Sequence, residues 1–85
     1  MRLSQVKRYV KVIAIHEADG TTVPIRIYFG GKQYRVQSLK HTALMKDLYR
    51  GGKGTRYTIN VNGQETFLYD DRERFYVEAK VKEGV

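Results

Sequence analysis

Apolar and polar residues alternate through most of this chain, and the alternation breaks at glycine-bearing pairs. Val10, Val12 and Ala14 fall on one side of a period-two pattern, and Tyr9, Lys11, Ile13 and Ile15 on the other. A period of two is that of a β-strand, whose successive side chains point to opposite faces. After a turn at Ala18-Asp19-Gly20-Thr21, Val23, Ile25, Ile27 and Phe29 form an apolar side opposite Thr22, Pro24, Arg26 and Tyr28. Gly30-Gly31 follows at once, and two residues able to take positive φ predict a tight hairpin. The returning strand, Lys32 to Leu39, sets Tyr34, Val36 and Ser38 against Arg35 and Gln37.

Between Lys40 and Gly54 the alternation stops. Thr42 suits a helix cap and Gly51 a helix stop, so this segment reads as one short helix near 42–50 or as an irregular loop. Alternation resumes at Thr55 and runs to Val61. Asn62-Gly63, the strongest hairpin signal in the chain, predicts a type I′ turn. A strand through Phe67 and Tyr69, a polar turn at Asp70-Asp71-Arg72-Glu73, and a last strand from Phe75 to Val81 complete the pattern. Residues 82–85 read as a frayed tail. About six strands with tight turns predict an all-β fold. The expected architecture is a small antiparallel meander forming an SH3-like barrel or a strongly curved sheet. The expected inward set is Val12, Ile25, Ile27, Val36, Ile59, Leu68 and Val77.

The 85 residues suffice for one domain, residues 1–85, with a small core. With no cysteine, the chain is expected in a reducing compartment, as a cytoplasmic protein of bacterial type. No apolar run approaches the ~20 residues of a membrane helix. Val10–Ile15, interrupted by Lys11, is too short for an export signal. The net charge of +7 is unevenly placed: residues 1–56 hold twelve Lys/Arg and three acids, residues 57–85 four and six. Between Lys32 and Arg56 seven cations face one acid, Asp47. Net charge serves solubility, but its clustering points to a polyanionic partner.

Arg50-Gly51-Gly52-Lys53-Gly54-Thr55-Arg56 concentrates this charge. It is not a P-loop: Gly54 follows Lys53, and a strand rather than a helix comes next. Two readings stay open, a glycine-rich anion site in which Arg50, Lys53 and Arg56 add charge-assisted bonds, and a basic connector. A second candidate is an outward face with Arg26, Tyr28, Arg35 and Gln37, joined by Tyr76 and Lys80, with Lys32 as a further cation of the same basic field. Cations that follow phosphates beside rings on which bases stack characterise sequence-tolerant nucleic-acid binders. The same residues also suit cross-strand pairing. Asp70, Asp71 and Glu73 read as a turn and not as a calcium loop. His16 and His41, without cysteine partners, form no zinc signature. No metal, cofactor or catalytic grouping is expected, and hence no enzyme.

Several fragments together resemble a known pattern: Gly31-Lys32-Gln33-Tyr34-Arg35-Val36, Arg56-Tyr57, Gly63 leading to Leu68-Tyr69, and Phe75-Tyr76-Val77. Over residues 25–78 the chain resembles a group of short uncharacterised bacterial all-β domains sometimes encoded near Y-family translesion DNA polymerases. Those domains tend to carry Trp where this chain has Tyr or Phe. The resemblance implies a tilt toward nucleic-acid processing and transfers no catalytic residue. The expected function is a small basic module that contacts nucleic acid, DNA or RNA, through its phosphate backbone. The alternative is an interaction domain for an acidic protein.

Overall fold

The computed structural model describes residues 2–46, 53–72 and 74–83, with side chains between residues 6 and 79. Seven strands form one antiparallel sheet: β1 (Arg2–His16), β2 (Thr22–Phe29), β3 (Lys32–Arg35), β4 (Ser38–Met45), β5 (Gly54–Val61), β6 (Gln64–Asp70) and β7 (Phe75–Glu83). Their order across the sheet is β3-β2-β1-β7-β6-β5-β4. Among the described residues there is no helix, and so none long and apolar enough to cross a membrane.

The curl of this sheet follows from two features. β1 is shared: residues 2–10 pair with β7, and residues 11–16 pair with β2. A strand this long carries the right-handed twist of the chain from one half of the sheet into the other. Then β3 and β4, at opposite ends of the strand order, are joined by only Val36 and Gln37. The Val36 amide donates to the Ile25 carbonyl (2.9 Å), continuing the β2–β3 ladder, and the Gln37 amide donates to the Asn60 carbonyl (2.8 Å), continuing the β4–β5 ladder. The two ends of the sheet therefore meet, and the sheet is a half-barrel.

Both glycine-bearing hairpins form as expected. Gly30 and Gly31 have φ of 61° and 78°, and Asn62 and Gly63 have φ of 53° and 76°. The Gly63 amide also donates to Gln37 Oε1 (3.0 Å), tying this turn to the link between β3 and β4. A Cβ at Gly63 would meet no atom within 4 Å, so a substitution there acts through φ alone. Gly63→Val should therefore lower stability by about 1–2 kcal/mol, and Gly63→Asn by much less, since Asn tolerates this region. Urea midpoints of the two variants check this; equal midpoints would contradict it.

Residues opposite one another in an antiparallel pair share a face. The inner face holds the main core: Ile27, Tyr57, Ile59 and Leu68 are buried, packed by Val12, Val36 and Val77 among others. The expected inward set is thus found together, except for Ile25. A bulge in the β1–β2 pairing is responsible: Ile13 pairs with Arg26 but Ala14 pairs with Pro24, leaving Ile25 as the extra residue. Pro24 consequently joins the buried side with Ile27, where simple alternation had placed it opposite.

The segment expected to be a short helix begins instead as a strand. Thr42 to Met45 belong to β4, paired with β5 through Met45 opposite Gly54. A second bulge, with Lys40 as the extra residue, resets the alternation and hid the strand. Leu44 is 85% exposed. A one- or two-turn helix has little stability of its own, whereas the ladder to β5 satisfies the backbone along this segment. The remainder of the expected helix, 47–50, lies outside the described residues. At the other end, β7 continues to Glu83 opposite Arg2, so Lys82 and Glu83 are ladder residues and not a tail.

Candidate functional site

The outer face of the sheet carries a layer of rings and cations. One register row crosses it: Tyr9 opposite Tyr76, Tyr76 opposite Tyr69, and Tyr69 opposite Arg56. Tyr69 and Tyr76 stack with centroids 4.9 Å apart, Tyr9 meets Tyr76 edge-on at 5.6 Å, and Phe67 lies 6.5 Å from Tyr69. Met45 packs against the Tyr69–Tyr76 pair. A second row places Lys11 opposite Tyr28 and Tyr28 opposite Gln33. A third places Ile13 opposite Arg26 and Arg26 opposite Arg35.

Each ring row is lined by cations. Lys11 Nζ lies 5.0 Å from the Tyr28 centroid and Lys7 Nζ 4.8 Å from that of Tyr76. The Arg56 guanidinium lies 4.6 Å from the Phe67 centroid, and that of Arg74 3.7 Å from Tyr9. The acids nearby are engaged. Tyr9 donates to Asp71 Oδ2 (3.1 Å), Tyr69 donates to Glu78 Oε1 (2.9 Å), and Lys40 pairs with Glu65 (3.7 Å). Burial first, then the bond to Glu78, pushes the Tyr69 hydroxyl from near 10 up to about 12, although Arg56 pulls the other way. Tyr69 is therefore a neutral donor at any physiological pH.

Arg26 and Arg35 differ from the other cations. They stand directly opposite on one face, and among the described residues no carboxylate pairs with either. The nearest polar partner is neutral: Arg26 Nη1 donates to Gln33 Oε1 (3.3 Å). Like charges directly opposite in a sheet destabilise it, so the mutual contact of the two arginines is unfavourable to the fold.

Arg26, Tyr28, Arg35 and Arg56 thus share the outer face. Lys32 is exposed at the β2–β3 turn opposite Phe29, and Lys53 is exposed just before β5. Arg50 and the two glycines after it lie outside the described residues. Arg56 and Arg35 are separated by five strand spacings, so they are parts of one face and not a single cluster. Tyr76, expected outward, does lie on the outer face but is only 1% exposed, closed in by Tyr9, Tyr69 and Lys7. Lys7, Tyr9, Lys11, Phe67 and Arg74 join the same layer of rings and cations and were not among the expected candidates. The outward parity of Tyr9 and Lys11 was the available signal.

The polar turn is held by its own side chains. Asp70 Oδ1 accepts from the Arg72 amide (2.8 Å) and Asp71 Oδ1 from the Arg74 amide (3.0 Å), which is turn chemistry. Among the described residues no three His, Cys, Asp or Glu side chains group to hold a metal. His16 Nδ1 is hydrogen-bonded to Thr22 Oγ1 (3.1 Å). On the inner face, an open groove of about 400 Å³ is lined mainly by Ile27, Phe29, Tyr34, Val61, Val77 and Ala79. No family model matches the chain, and no curated protein or solved structure shows significant similarity to it.

Proposed function

We propose that this chain is a non-enzymatic, cytoplasmic binding module that holds nucleic acid by its phosphate backbone across the outer face of the half-barrel. The observation that carries the reading is the Arg26–Arg35 pair, two arginines directly opposite one another on the outer face with no carboxylate paired to either among the described residues. Guanidinium presents a planar fork of donors that suits phosphate oxygens. A phosphate seated between the two would turn a repulsive pair into a favourable one. Lys11 and Arg56, held against Tyr28 and Phe67, extend the positive surface on either side. The resemblance of residues 25–78 to domains encoded near translesion polymerases tilts the same way.

A second reading is supported by the inner groove and by the β4 edge, where Leu44 is exposed: an acidic protein segment could dock there. The two readings use different faces. Titration of a labelled mixed-sequence oligonucleotide at two salt concentrations separates them. Binding that weakens steeply with salt, and is lost in an Arg26→Gln/Arg35→Gln variant, supports the nucleic-acid reading. No binding at low salt leaves the acidic-protein reading.

A further inference from the structure

We infer that the outer face takes duplex nucleic acid along its phosphate rows, and that its rings seat this chain's own cations instead of stacking bases. The inference rests on the nucleic-acid reading and narrows it to one class of substrate. Proteins that hold single strands combine a positive groove with aromatic faces left open for successive bases. This molecule separates those features. Its groove lies on the inner face and is mainly apolar, with Lys32 at its rim opposite Phe29, while the cations seated over rings, with Arg26 and Arg35, lie on the outer, convex face.

The rings of that outer face are already used. Lys11 lies over Tyr28, Arg56 over Phe67 and Arg74 over Tyr9. Tyr76 is shut between Tyr9, Tyr69 and Lys7. Tyr9 and Phe67 remain 42% exposed, but a base stacking on the ring face that holds Arg74 or Arg56 would displace that cation, at the cost of the contact that attracts the phosphate next to it. A Lys or Arg held on a ring has lost part of its rotamer freedom before binding, so less is lost when phosphate arrives. The spread of the cations fits a duplex as well. From Arg35 on β3 to Arg56 on β5 are five strand spacings, about 24 Å along the curled surface. On a convex surface that length is an arc, and a duplex carries its phosphate rows on its own outer surface, where such cations can meet them without a cleft.

The test uses the whole chain, a short mixed-sequence DNA duplex and its two separated strands, each titrated at the same salt. The duplex should bind more tightly than either strand. Lys11→Gln and Tyr28→Leu should each weaken duplex binding about 2–5-fold. Because they break one contact, the double variant should be no weaker than the worse single variant. Lys11→Gln leaves the ring in place, so it reads the contact even if Tyr28→Leu disturbs the sheet. Tighter binding of single strands, with Tyr28→Leu costing them about 5–150-fold, would show that bases stack on the rings and would overturn the inference while keeping the nucleic-acid reading. Fully additive losses in the double variant would likewise overturn the seating of Lys11 on Tyr28. If neither duplex nor strands bind, the nucleic-acid reading itself falls.

Discussion

Tyr76→Ala should destabilise the protein by about 3–5 kcal/mol, the range for deleting a large buried aromatic side chain. A domain of this length has about 4–13 kcal/mol in total, so a large share of its stability would go. The reason is specific to this sheet. Tyr76 projects away from the main core, yet it is the most enclosed residue of the outer layer. Its removal strips Tyr69 of its stacking partner, Tyr9 of its edge contact, and Lys7 of the ring beneath it. A half-barrel this small has few other side chains to collapse into the gap. Tyr76→Phe keeps the stacking and should lose no more than about 1.5 kcal/mol, the value of one hydrogen bond. Urea unfolding of the two variants measures both. A loss below about 1 kcal/mol for Tyr76→Ala, against the range for buried aromatics, would show that the outer rings are not a second core.

Arg26→Gln/Arg35→Gln should behave in the opposite way, losing binding while keeping or gaining stability. Two facing cations without a carboxylate are an unfavourable cross-strand pair, so neutralising them should leave stability unchanged or raise it by up to about 1 kcal/mol. On the proposed function the same change removes two phosphate contacts. Each contact with duplex DNA contributes about −0.9 to the slope of log affinity against log salt, so the line should flatten by about two units. Unrelated sequences should weaken alike, because phosphate contacts carry no base information. Loss of binding together with loss of stability would mean that the pair supports the fold. Unchanged binding would remove Arg26 and Arg35 from the site.

Much of this fold was legible because local signals were strong. Asn62-Gly63 and Gly30-Gly31 demanded positive φ, and the alternating runs on either side could pair in only one sense. What could not be read were the two bulges. Counting back from His16 opposite Thr22 with a constant register puts Lys11 opposite Ile27. The extra residue at Ile25 moves it opposite Tyr28 and so onto an outward ring. Pro24, which cannot donate to a ladder, was the signal of that step, but near the start of the strand it fitted an unbulged register equally well. The bulge at Lys40 had a larger effect, because it broke the only pattern that marked β4 as a strand. The aromatic row was hidden for another reason. Alternation gives the face of Tyr76 correctly, but its burial comes from Tyr9 and Tyr69, on strands far apart in sequence. Of the site, the arginines of β2 and β3 were legible from charge and parity. The lysines seated on rings were not, since their partners depend on register.

The salt dependence of duplex binding by the unmodified chain tests most directly whether the outer face binds a phosphate backbone. Lys11, Arg26, Arg35 and Arg56, each making one contact, predict a slope of log affinity against log salt of about −3 to −4, the same for two unrelated sequences. A slope near zero, or no binding at low salt, would contradict the account.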